Sequence, residues 1–161
     1  MKLEKYKVET TKGTLQYNIS GNGKPNIVLI NGGSGPVEGW MKILPAISES
    51  SSVFSYNRFG VAGSDKPKVS QDGLNIVNTF REALTSVGFE PPFLLVGHSL
   101  DGLYANLYAR LFQNEVAGIV FLESSTTKDI SLNEYQGKAE KRLIKCSKCL
   151  IPCLHINNSV K

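Results

Sequence analysis

Three short apolar runs punctuate the chain: Asn26-Ile27-Val28-Leu29-Ile30, Phe93-Leu94-Leu95-Val96 and Val116-Ala117-Gly118-Ile119-Val120-Phe121-Leu122. Runs of this length and character predict strands buried on both faces of a sheet. Ser52 to Asn57 predicts a further strand. Lys5 to Thr10 and Thr14 to Ser20 are β-rich and joined through Lys12-Gly13, which predicts an antiparallel hairpin at the start of the fold. Between the strands the period changes. Leu74 to Val87 carries apolar residues at 76, 77, 80, 84 and 87, an amphipathic helix closed by Gly88. Leu100 to Phe112 reads as a second helix, and Gly39 to Ser48 as a short or interrupted one, because Pro45 falls inside its pattern. Strands alternating with helices imply an α/β fold: a mostly parallel sheet with helices on both faces.

The run ending at Val96 stops abruptly at Gly97, and His98-Ser99-Leu100 then leads straight into a helical pattern. A strand, a sharp turn and a helix lift the Ser99 hydroxyl out of the chain and aim the helix's first N–H groups at whatever it attacks. The simpler alternative is a serine that merely caps the helix. His98 adjoins Ser99 in sequence, so such a turn points its ring elsewhere, toward packing or hydrogen bonding rather than toward the serine.

Two upstream segments extend the pattern. Asn31-Gly32-Gly33-Ser34-Gly35-Pro36 follows the first buried strand, and Tyr56-Asn57-Arg58-Phe59-Gly60-Val61-Ala62-Gly63-Ser64-Asp65-Lys66-Pro67 follows the next. Together with Pro92 to Tyr104 they resemble, in order and spacing, the oxyanion loop, the Asp-Arg-x-Gly-x-Gly-x-Ser-Asp segment and the nucleophile elbow of the α/β-hydrolase-fold serine hydrolases. The resemblance covers about residues 5 to 125. It implies that Ser99 is the nucleophile in cleavage of a carboxylic ester or related acyl bond, with a histidine taking its proton and an acid orienting that histidine. It also implies an oxyanion hole made by the Leu100 N–H and an N–H of the glycine loop, Gly33 with Ser34 as the alternative.

Several positions depart from the family pattern. Asn31 stands where the loop usually carries histidine. Asp101 stands where the family has glycine or another small residue; it brings bulk and negative charge close to a site meant for an oxyanion, or else serves as a first-turn residue favoured by the helix dipole. The resemblance also implies that the chain stops after the sixth strand, without the last two. Glu123, at the end of that strand, is then the carboxylate in a plausible acid position, the plainer reading being a strand-end surface residue. Asp65 is explained by a turn in which it bonds its own backbone. His155 serves as base only if the C-terminal segment folds back across the sheet. A non-catalytic pseudoenzyme or interaction module, lacking the acid and histidine, is therefore the rival reading. A proline-releasing peptidase is suggested by Gly-Gly-Ser-Gly-Pro, although the surroundings of Ser99 look more like general esterases.

With 161 residues, 41% hydrophobic and 20% charged, the composition is that of one globular domain and excludes disorder, collagen and coiled coil. The expected organisation is a partial hydrolase domain over 1–125 and an atypical lysine- and cysteine-rich tail, helical or irregular, over 126–161. The net charge of +4 owes much to Lys138, Lys141, Arg142, Lys145 and Lys148, a solvated helix face rather than a nucleic-acid site. No segment matches a secretory leader or an apolar membrane span, and the three cysteines all follow position 145 without forming a disulfide framework. These features point to a reducing, cytoplasmic setting. Cys146, Cys149, Cys153 and His155 offer zinc-type donors, but their spacing is too compact for most zinc modules, so no metal or organic cofactor is expected. The expected partners are a small-molecule ester or acyl substrate and, through the exposed apolar edge of the sixth strand at Val120 and Phe121, a second copy of the chain.

Overall fold

The computed structural model of the protein describes residues 3–33 and 35–126. Strand β3 (Asn26–Ile30) is buried along its whole length, and its alternation sorts the interior into two layers. Val28 and Ile30 face one core with Phe54, Leu95, Phe80, Leu84, Leu107 and Tyr108. Ile27 and Leu29 face the other, with Val37, Trp40, Leu44, Val53 and Val96. A continuous apolar run is what a strand covered on both faces requires.

Among the described residues six strands form one sheet in the order β1-β2-β4-β3-β5-β6. The opening hairpin, β1 (Tyr6–Thr10) and β2 (Gly13–Ser20), is antiparallel, and β2 also runs antiparallel to β4 (Ser52–Tyr56). From there the sheet is parallel: β4 with β3, β3 with β5 (Phe93–His98), and β5 with β6 (Val116–Leu122). Helices α2 (Gly73–Ser86) and α3 (Gly102–Leu111) supply side chains to the larger core, and the short α1 (Leu44–Ser48) to the smaller. Asp72 caps α2 by accepting a hydrogen bond from the Asn75 amide at 2.9 Å.

Three elements differ from the periodicity reading. The segment expected as a short or interrupted helix over 39–48 is a 3-10 turn at Val37–Trp40 followed by α1, whose Pro45 sits in the first turn, where a missing N–H leaves no bond unmade. The elbow strand runs to His98, two residues beyond the apolar run, because β6 pairs with it as far as Leu122. The helix expected from Leu100 begins as a 3-10 turn at Ser99–Asp101 and becomes α-helical at Gly102. β6 is the last strand among the described residues, and its Val120 and Phe121 are 40% and 50% exposed. The lysine- and cysteine-rich segment, with Cys146, Cys149, Cys153 and His155, lies outside the described residues.

Candidate active site

Ser99 occupies left-handed backbone, φ +52°, between β5 and the 3-10 turn. A residue with a Cβ adopts this conformation at a cost of about 1–2 kcal/mol, so the surroundings must hold it there. Behind the serine, strand and helix approach so closely that a Cβ on Gly97 would lie 2.7 Å from the Gly102 Cα, and one on Gly102 would collide with the Ser124 side chain. From the side, Ser124 Oγ donates to the Gly97 carbonyl at 2.7 Å and the Ser125 amide donates to the Ser99 carbonyl at 3.0 Å. The turn is thus gripped by the chain that leaves β6, a role the sequence pattern did not reveal for either serine.

The glycine loop after β3 closes on the other side. A Cβ on Gly32 would lie 2.5 Å from His98 Nδ1 and 2.9 Å from the Ser99 Cβ, so only glycine lets this backbone meet the elbow. Gly33, next along, takes φ +55° and has open space where a side chain would stand. Ser34 is outside the described residues. Asn31 anchors the loop from within: its Nδ2 donates to the carbonyls of Gly35 at 3.0 Å and Tyr56 at 3.2 Å, and its Oδ1 accepts from Trp40 Nε1. An amide, which both donates and accepts, makes all three links.

The segment after β4 forms a third wall. Asn57 accepts from the Val37 amide at 2.8 Å and donates to Gln16 Oε1 at 2.9 Å. Ser64 Oγ donates to the Asn57 carbonyl at 2.7 Å and accepts from the Gln16 amide at 2.8 Å. Asp65 does not bond its own turn as the sequence suggests; its carboxylate accepts from the Thr14 amide at 3.0 Å, in β2, and that bond lowers its pKa. The reason is register: the loop folds back along β2, where Thr14 presents a free amide.

Asp101 differs most from expectation. Its carboxylate is fully buried while Ser99 stays half-buried, and it faces Arg58, whose Nη1 lies 3.4 Å from Oδ1. The charge is turned into the protein rather than presented at the mouth of the site. Burial raises the Asp101 pKa to about 7 against the opposing pull of Arg58. Arg58 in turn lies over the Tyr104 ring, 5.4 Å from its centroid. The signal for this pairing was present in an acid out of place in the elbow and an arginine in the loop motif, which the sequence alone does not connect.

Glu123 stands exposed at the C-terminal end of β6 in left-handed backbone, φ +45°. His98 is exposed beside Gly32, with its ring edge-on to Trp40 at 6.3 Å. Leu100 lies in the first turn after Ser99, where its N–H belongs to the 3-10 segment. The structure therefore brings Gly32 against His98 and Ser99, with Gly33 and Leu100 the next residues along their segments, while His155 is not among the described residues. No helix among the described residues is long and apolar enough to cross a membrane.

A family model described as alpha/beta hydrolase fold matches residues 25–146. A proline iminopeptidase of Saccharolobus solfataricus is 27% identical over 135 residues, covering 80% of this chain and 41% of that protein. Epoxide hydrolase CorEH superposes with a TM-score of 0.70 at 20% identity, over 76% of this chain and 43% of that one. A membrane phospholipase A, a bacterial virulence factor, does so with a TM-score of 0.71 at 17% identity, over 94% and 59%. The chain spans less than half the length of the curated relatives it matches. The matched model, covering most of the chain, and the strand order with its elbow agree: this chain belongs to the α/β-hydrolase fold family.

Proposed function

We propose that the chain is a serine hydrolase that cleaves a carboxylic ester or related acyl bond, with Ser99 as nucleophile. The observation that carries this reading is the strained left-handed backbone of Ser99 at a strand-to-helix turn, braced against Gly32. Strain retained at one residue by everything around it is a feature of reactive sites. In the proposed reaction Ser99 Oγ attacks the acyl carbon, its proton passes to a base, and the carbonyl oxygen becomes an oxyanion received by the Leu100 N–H and that of Gly33 or Ser34. Collapse expels the alcohol, which takes up the proton, and water then releases the acid from the acyl-enzyme. Each oxyanion donor is worth about 3 kcal/mol at the transition state. His155 is the candidate base and Glu123 the candidate acid, one beyond the described residues and one at the exit of β6.

Intact-mass analysis after fluorophosphonate treatment tests this reading, on protein with a cooperative melt and beside Ser99→Ala. A single adduct that disappears in the variant is the expected result; folded protein without an adduct overturns it. Turnover of an aryl ester set against a prolyl aryl amide then separates the ester reading from the peptidase reading that the proline iminopeptidase likeness suggests.

A second reading is favoured by one observation, the exposure of Val120 and Phe121 on the last strand. In it the chain is a non-catalytic module that pairs through β6 with a second copy of itself. Sedimentation at rising concentration tests this, with Phe121→Lys expected to abolish a salt-independent dimer. A monomer at every concentration overturns it.

A further inference from the structure

Asp101 immediately precedes α3, beside a Gly97–Gly102 approach that admits no Cβ. Neither of its carboxylate oxygens accepts a hydrogen bond, and the 3-10 turn it closes has no side-chain cap. A carboxylate placed there for capping would bind a backbone N–H; this one does not. Buried charge without hydrogen bonds is costly unless a counter-charge faces it, and here that is the mostly buried guanidinium of Arg58. The groups around the pair come from three elements: Tyr56 of β4, whose hydroxyl is buried without a hydrogen bond, Arg58 of the following loop, and Tyr104 of α3. Arg58 lies in the same loop that Gln16, Thr14 and Asn57 fasten to β2. A continuous set of contacts therefore runs from the antiparallel edge of the sheet, through Arg58 and Asp101, to the backbone of Ser99.

We propose that Asp101 and Arg58 act as one positioning unit, an internal brace through which the loop over 57–65 fixes the turn that carries Ser99. The consequence for catalysis rests on the hydrolase reading above; the brace itself does not. Neither residue touches substrate. Arg58 is what makes the ionised carboxylate tolerable: without it Asp101 is a buried anion with neither a hydrogen bond nor a counter-charge.

Amide hydrogen exchange on the full-length chain tests the brace, in Asp101→Asn, Arg58→Met, Arg58→Lys and the double variant Arg58→Met/Asp101→Gly. At pH 8 Arg58→Met, which leaves the Asp101 anion without its counter-charge, should speed exchange over 97–104 by about tenfold or more, leaving α2 near its original rate, whereas Asp101→Asn, which removes that anion, should leave exchange near its original rate or slower. Arg58→Lys, which keeps the charge, and the double variant, which removes the pair as a unit, should recover most of the protection. Loss of folding in Arg58→Met with recovery in the double variant supports the unit equally. Unchanged exchange over 97–104 in Arg58→Met overturns it, as does a double variant no better than Arg58→Met. The rate of fluorophosphonate adduct formation at Ser99, followed against pH, reports separately. An inflection that Asp101→Asn removes extends the brace to reactivity. No adduct even in the unsubstituted chain, with exchange responding as expected, overturns the hydrolase reading and leaves the brace standing. Equal adduct rates at every pH with unchanged exchange overturn the brace alone.

Discussion

The Ser124 hydroxyl donates to the Gly97 carbonyl at 2.7 Å, so the strand following the elbow helix returns to hold the turn from which that helix departed. Residue 97 needs to be glycine for the approach of Gly102, and Gly102 needs to be glycine for the approach of Ser124. Ser124 thus makes Gly102 necessary, and Gly102 in turn makes Gly97 necessary. The elbow is a small stack of close contacts, and Ser99 inherits its backbone from them rather than from its own preference.

That inheritance has a measurable cost. Ser99→Gly removes the Cβ that makes φ +52° unfavourable and should stabilise the protein by about 1 kcal/mol, seen as a higher urea midpoint. The same change removes the hydroxyl and any adduct with it. A lower midpoint would mean that the serine side chain supports the turn more than it strains it.

The two loop glycines should respond differently to alanine. At Gly32 the added methyl meets His98 and the Ser99 Cβ at 2.5 and 2.9 Å, an overpacking expected to cost about 1–3 kcal/mol. At Gly33 there is open space, and only the left-handed backbone is penalised, by about 1 kcal/mol. Thermal melts of the two variants should therefore separate, Gly32→Ala lying lower. Equal losses would mean that the loop does not press on the elbow.

Asp101 predicts a pH dependence. Burial raises its pKa from 3.8 to about 7, so the folded chain keeps a proton that the unfolded chain releases near pH 4. Between those values the native state binds more protons than the unfolded one, and stability falls as pH rises through the window, levelling above pH 7. Urea unfolding at matched ionic strength should show a loss of roughly 3 kcal/mol from pH 5 to pH 8. Asp101→Asn should flatten it. A slope that survives the substitution would assign the titration to another group. Glu38, Asp65 and Glu115 have lowered pKa values, so their contributions are lost only at lower pH and leave this window clear.

Trp40 is the only tryptophan in the chain, and its indole N–H donates to Asn31. Asn31→Ala takes this partner from three groups, the buried Tyr56 carbonyl and Trp40 indole N–H and the part-buried Gly35 carbonyl, at a cost of about 1–3 kcal/mol. The indole emission should shift as its hydrogen bond is lost, and Ser99 labelling should slow as the glycine loop loosens. An unshifted spectrum would mean that Trp40 is held by packing alone.

The sheet was legible because its parallel strands are apolar without interruption: Val28 and Leu29 must both be covered, and only a two-layered sheet does that. The elbow was legible from the break at Gly97. What stayed hidden depends on pairings distant in sequence. The alternation of Asn57 and Gln16 gives no hint that they meet, and Asp101 read alone suggests repulsion of an oxyanion because nothing local reveals Arg58. Helix starts were misjudged where 3-10 geometry takes over, at Val37 and at Ser99, since that tighter winding keeps the same hydrophobic spacing over one turn. Ser124 and Ser125 carried no signal, being ordinary polar residues after a strand.

The amide of Ser125 bonded to the Ser99 carbonyl at 3.0 Å also fixes where the sheet hands on its chain. A change at Ser124 or Ser125 therefore reaches the backbone of Gly97 or Ser99 through a single hydrogen bond, so that the exit of the last described strand and the serine turn move as one mechanical piece however far apart they stand in the sequence.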